Sequence, residues 1–181
     1  MRLCQDFFSQ KTTTVARSLL GCTLVWKNQE AVITETEAYA GEDDPACHAA
    51  CGLTPRNQIM YGPCGFTYVY LIYGMYHCLN IVTESKGYPA AVLIRGLDVN
   101  NVIENGPGKL CRRLSISKNH NGINLCRDKS HGIYDNSLKD LKIITTPRIG
   151  IKKGLEKPWR YVLKKYAKKS DLEFINKQLS E

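Results

Sequence analysis

The stretch FTYVYLIYGMYHCLNIVT, residues 66–83, decides the fold. Residues 66–72 are aromatic and β-branched, the composition of a strand. Tyr73-Gly74-Met75 reads as a tight connection, and residues 76–83 return as a second strand. The same grammar recurs upstream, where residues 22–27 and 30–39 flank an Asn28-Gln29 turn. Residues 90–96, 140–151 and 158–163 are further strand segments. The expected helices are short. One spans 13–20, with threonines before it and Gly21 after. Others are expected over 45–50 after Asp43-Asp44, from Thr54-Pro55 to before Gly62, and over 109–115 after Gly106-Pro107-Gly108. The Lys-rich tail, 164–181, carries Leu172, Ile175 and Leu179 at helical spacing. Strands joined by hairpins outweigh helices, which predicts an α+β fold with an antiparallel sheet.

Composition narrows the function classes. With 181 residues, 43% hydrophobic and 23% charged, the chain is one globular domain with its own core. It is not collagen, coiled coil or low-complexity sequence. No apolar run reaches the length of a transmembrane helix. The first twenty residues lack a continuous apolar stretch, so a cytoplasmic or nuclear protein is expected. The net charge of +8 is uneven: residues 1–90 carry 6 basic and 8 acidic side chains, the remainder 19 and 9. A basic half suggests a polyanionic partner, although a Lys-rich solvated surface gives the same count. The eight cysteines include no CxxC pair, and free buried thiols are expected. Cys47-His48-x-x-Cys51, with Cys64 and His77-Cys78, is too irregular for structural zinc, so no metal is expected.

Two stretches carry candidate chemistry. Strict alternation puts Ala31, Ile33, Glu35, Glu37 and Tyr39 on one face of their strand, running from apolar to acidic. Such a strand can deliver a carboxylate to a cleft, or simply end in solvent. The second is the run of Tyr68, Tyr70, Tyr73 and Tyr76. It reads either as a cross-strand aromatic ladder or as a stacking platform with a projecting wedge. Strands lie about 4.8 Å apart and the B-DNA minor groove is about 6 Å wide, so only a residue at the turn could enter it.

Five segments, in order, closely resemble the alkyladenine (3-methyladenine) DNA glycosylases of the animal and bacterial type, as distinct from the helix-hairpin-helix type. They are ITETEAYAGEDDPACHA (33–49), TPRNQIMYGPCGFTYVYLIYGMYHCLNI (54–81), AVLIRGLD (91–98), NGPGKLC (105–111) and PRIGIKKGLEKPWRY (147–161). The likeness runs from about residue 15 to 163. It implies a single mixed α+β domain, 1–163, with a curved antiparallel sheet, short surrounding helices and a protruding hairpin. The tail, 164–181, would pack on that domain or trail from it.

The resemblance implies a monofunctional glycosylase of base excision repair. Such an enzyme flips alkylated or deaminated purines from double-stranded DNA and hydrolyses the N-glycosidic bond with a Glu-activated water. It needs no cofactor, no metal and no membrane, and is expected as a monomer, cytoplasmic and nucleoid-associated in a bacterium or nuclear in a eukaryote. Carried over, Glu37 is the catalytic carboxylate, and Arg95 positions the water and keeps Glu37 ionised. Tyr39, Tyr70 and His48 form the base pocket, and Asn80 screens out the guanine amino group. Tyr73 is the wedge, with Met75 and Tyr76 facing the groove. Gly108 and Lys109 either contact a phosphate or punctuate a helix start. The matched pocket motifs suggest no lysine for a Schiff base. The segment Gly96 to Asn105 is shorter than in family members and holds two acids and no base, so phosphate contacts there are lost. A lesion-binding module without catalysis and a zinc enzyme built on His48 are the competing readings. Preference among 3-methyladenine, 7-methylguanine, hypoxanthine and ethenoadenine stays open.

Overall fold

The computed structural model describes residues 1–178. Every strand pairing is antiparallel, in one sheet. The strands are β1 (Thr23–Trp26), β2 (Gln29–Ala40), β3 (Thr67–Ile72), β4 (Tyr76–Val82), β5 (Ala90–Val99), β6 (Val102–Asn105), β7 (His131–Tyr134), β8 (Ile143–Thr146) and β9 (Arg160–Leu163). The order is β3-β4-β5-β2-β1-β7. The long strands β2 and β5 form the spine. β5 gives one edge to β2 and shares the other between β4 and β6. β2 likewise shares its outer edge between β1 and β9. Branching at both long strands curves and partly closes the sheet.

The helices are α1 (Gln5–Phe8), α2 (Thr12–Ser18), α3 (Pro107–Arg113) and α4 (Lys169–Gln178). α2 lays Val15 and Ala16 on the core beneath β2 and β5, with Leu19 just beyond its end. α3 begins two residues earlier than expected because Pro107 suits the first helical position. A second, smaller core of Cys47, Ala49, Met60, Tyr68, Val82 and Ala91 supports the aromatic residues of the cleft.

Several expectations need correction. The helix read over 45–50 is a 3-10 turn over His48–Cys51, and the next is a 3-10 turn over Gln58–Tyr61. The strand read over 140–151 is only β8, because Pro147 and Gly150 divert the chain into a loop. Residues 102–105 are a strand, β6, reached through an Asn100-Asn101 turn in which both residues have positive φ. Within the tail, Leu172 and Ile175 lie on α4, whereas Leu179 lies outside the described residues.

The strict alternation of β2 is broken. Ile33 pairs with Leu97, Glu35 with Gly96 and Thr36 with Ile94. Thr34 is therefore an extra residue on β2, and Arg95 an extra residue on β5. Ala31 and Ile33 pack in the main core, and so does Ala38, of opposite parity. Thr36 donates its hydroxyl to Ala16 O on the same side. The carboxylates thus do not share the face of Ala31 and Ile33; the bulge exchanges the faces. Gly96 permits this close approach, since a Cβ there would stand 2.6 Å from Thr34 Oγ1 and 2.9 Å from Glu35 Cβ.

Candidate active site

A cleft of about 590 Å³ opens between the β3–β4 hairpin, the end of β2 and the loop 147–153. Tyr39, His48, Tyr70, Asn80 and Arg95, from five separated segments, all line it. Tyr68, from the tyrosine run, lines it as well, and so do Met60 and Ile149, which sequence reasoning missed. Tyr68 follows from the alternation it shares with Tyr70; the others have no local signal.

Glu37 does not line the cleft. It is 0% exposed, immediately behind the wall. Its Oε1 accepts the Ile149 backbone N–H at 2.7 Å and lies 3.3 Å from Arg95 Nε. Its Oε2 accepts the Tyr39 hydroxyl at 2.7 Å. Burial raises the Glu37 pKa, opposed by Arg95, the Ile149 amide and Tyr39. Arg95 therefore acts in the expected direction, but desolvation exceeds it and the carboxyl stays above its ordinary value. Arg95, re-aimed by its bulge, also donates from Nε to Glu35 Oε1 at 2.9 Å.

The base-pocket residues meet as rings. His48 and Tyr70 pack edge to face with centroids 4.5 Å apart, and His48 Nδ1 lies 2.9 Å from the Tyr68 hydroxyl. Desolvation of the imidazole, aided by Arg56, lowers the His48 pKa, so the ring is neutral at pH 7. Each stacking tyrosine carries a guanidinium on one face: Arg148 is 4.7 Å from the Tyr39 centroid and Arg56 is 5.1 Å from that of Tyr70. Arg148 is itself buried and forked onto Asp44, with Nη2 to Oδ1 at 2.8 Å. Asn80 is anchored by Nδ2, which donates to the backbone oxygens of Tyr68 and Cys78 at 3.0 and 3.4 Å. It thus bonds backbone and lines the cleft at once.

Tyr73 stands at the hairpin tip, 84% exposed, beside the exposed Met75. Both central turn residues, Tyr73 and Gly74, have positive φ, at +50° and +69°. A tyrosine in that region is strained, at a cost of about 1–3 kcal/mol. Tyr76 is half-buried. A Cβ on Gly108 would lie 2.7 Å from its ring, and Arg112 lies 5.9 Å from the ring centroid. Gly108 is thereby explained by packing of α3 on β4, while Lys109 is exposed. The expectation of no pocket lysine is overturned: Lys152 and Lys153 line the cleft mouth, both exposed.

All eight cysteines are free thiols, and burial pushes Cys22 up to about 12 and Cys47 to about 11. Among the described residues, no group of three His, Cys, Asp or Glu side chains is placed to hold a metal ion. No helix there is long and apolar enough to cross a membrane.

The sequence profile of the family described as methylpurine-DNA glycosylase matches residues 6–167. The chain belongs to the methylpurine-DNA glycosylase family. It is 54% identical over 164 residues to a provisionally named 3-methyladenine DNA glycosylase of Rickettsia peacockii, covering 89% of each chain. A protein of that name from Sodalis glossinidius is 52% identical over 162 residues, 88% of this chain and 95% of the relative. One from Ehrlichia chaffeensis is 50% identical over 166 residues, 89% and 92% of the two chains. As a member of this family the protein is a DNA glycosylase of base excision repair, a hydrolase of N-glycosyl bonds that binds DNA.

Proposed function

We propose that this glycosylase extrudes alkylated or deaminated purines from duplex DNA and hydrolyses the glycosidic bond with a water activated by Glu37. The observation that carries this reading is the enclosure of Glu37 between Ile149, Tyr39 and Arg95, directly behind the aromatic cleft. A base within the duplex cannot be reached, so it must be turned out, at a cost of a few kcal/mol that is smaller for a poorly paired lesion. Tyr73, exposed at the hairpin tip, fills the vacated stack. Tyr39 and Tyr70 hold the extruded ring, while their guanidinium neighbours draw on the same π-faces and moderate the preference for cationic bases. Glu37 Oε2 accepts the Tyr39 hydroxyl and keeps a second lone pair for a water. Ionised Glu37 then stabilises positive charge at C1′ and takes the water proton, with Arg95 orienting the water.

Glu37→Gln tests the reading. General-base loss alone is worth roughly 10²–10⁴-fold, so single-turnover excision should fall at least that far while lesion binding persists. Borohydride should trap no protein–DNA adduct, because the exposed Lys152 and Lys153 are assigned no covalent role. Excision within threefold of wild type, or a trapped adduct, removes the mechanism.

A further inference from the structure

Five charged side chains form one buried chain behind the cleft. Asp171 Oδ1 accepts Arg160 Nη1 at 2.7 Å, and Asp171 Oδ2 lies 3.3 Å from Arg160 Nη2. Arg160 Nε donates to Glu35 Oε1 at 2.6 Å. That same oxygen accepts Arg95 Nε at 2.9 Å, and Arg95 Nε stands 3.3 Å from Glu37 Oε1. None of the five is more than 9% exposed. The chain begins on α4, beyond residue 167 where the family match ends, and finishes at the carboxylate proposed as the base.

We propose that Asp171 is a positioning residue for base excision, fixing Arg160 and through it the Glu35–Arg95 pair that orients Glu37. The coupling lies in one shared atom. Glu35 Oε1 is held between two guanidinium Nε groups, so the place of Arg95 depends on how firmly Arg160 is held from its other side. Apart from Glu35, Arg160 is held by Asp171 and by Thr146 Oγ1 at 2.8 Å. Without the Asp171 charge, a buried guanidinium loses its forked partner and turns toward the nearest remaining carboxylate, Glu35. Glu35 then follows Arg160, and Arg95 is released from its place between the two glutamates. Lys168, the residue before α4, donates its backbone N–H to Asp171 Oδ2 at 2.9 Å, so the carboxylate is oriented by the start of its own helix. A surface helix that only covered the sheet would need no such carboxylate; the exposed Lys169–Glu173 pair on α4 is of that ordinary kind.

The inference rests on Glu37 being the base, and the experiment separates the two ideas. The full chain is assayed on a duplex carrying one lesion that the wild type excises. Asp171→Asn should slow single-turnover excision about tenfold or more, the scale of a small misplacement transmitted from a distance. Affinity for the same duplex should stay within twofold, a split that loss of fold would not give. Asp171→Glu, which keeps the charge one methylene further out, should fall between. Glu173→Gln, exposed on the same helix, should match wild type. Wild-type excision in Asp171→Asn, with Glu37→Gln inactive, overturns the positioning role and leaves the base intact. Full excision in Glu37→Gln overturns the base instead. If Asp171→Asn does not fold, Asp171→Glu decides, and a wild-type rate in it overturns the proposal.

Discussion

The floor behind the cleft and the tip of the hairpin above it are built on opposite terms. Glu37 is 0% exposed and held by two hydrogen-bond donors and the Arg95 guanidinium, from three segments, with a chain of buried charges behind it. Tyr73 is 84% exposed, on a turn whose φ of +50° disfavours a side chain. The floor is over-determined by partners; the tip carries strain without them. On the proposed mechanism, the contrast separates where each task would be done. Proton transfer and charge stabilisation need atoms fixed within tenths of an ångström, whereas a wedge must stand clear of its own fold to enter another molecule.

Mutations should separate the two regions by what they cost. The largest effect falls on the floor. Arg160→Ala leaves Asp171 without its buried cation and Glu35 with Arg95 alone, and breaking such a pair costs about 3–5 kcal/mol. Chemical denaturation should register that loss, whereas Lys169→Ala on the exposed pair should leave the midpoint unchanged. Equal midpoints for the two variants would erase the distinction between floor and surface.

An intermediate effect belongs to the cleft wall. Asn80 is pinned by its Nδ2 donors, so its side chain cannot easily withdraw from a purine's C2 edge. A guanine amine placed there meets a steric or unpaired-polar cost of about 1–3 kcal/mol. Asn80→Ser should therefore raise the release of 7-methylguanine relative to hypoxanthine by roughly tenfold. Parallel decline of both substrates would make Asn80 a backbone anchor only.

The smallest effect is at the tip, and it is specific. Tyr73→Gly relieves the strained φ, so the thermal midpoint should not fall. Excision from intact duplex should drop about tenfold, because stacking of one ring is worth about 1–3 kcal/mol. The loss should shrink when the lesion lies opposite a gap. Equal losses on both substrates would make Tyr73 a scaffold residue.

How much was legible in the sequence follows the same division. The hairpin could be read directly, since strand composition and a Tyr-Gly-Met turn are local properties. The floor could not. Period-two alternation assigned Glu35 and Glu37 to the face of Ile33, and the paired bulges at Thr34 and Arg95 invalidated it. The signal was Gly96, a glycine within an apolar strand, which marks close backbone approach. Arg160 was also visible as a lone cation in the apolar run 159–163, yet its partners Glu35 and Asp171 are far away in sequence. Residues 147–151 were read as the end of a strand, although Pro147 and Gly150 break it. Their role depends on the Ile149 backbone N–H, which no side-chain pattern encodes.

The pH dependence of single-turnover excision, measured side by side for wild type and Glu37→Gln, tests the assignment of Glu37 most directly. Only the ionised carboxylate can accept the water proton, and burial raises its pKa. On a neutral lesion such as hypoxanthine, wild-type excision should therefore be lost on acidification at a pH above the ordinary carboxylate range and recover as the pH rises. That acid limb should be absent from the residual activity of Glu37→Gln. An acid limb of the same position in both proteins would contradict Glu37 as the buried base.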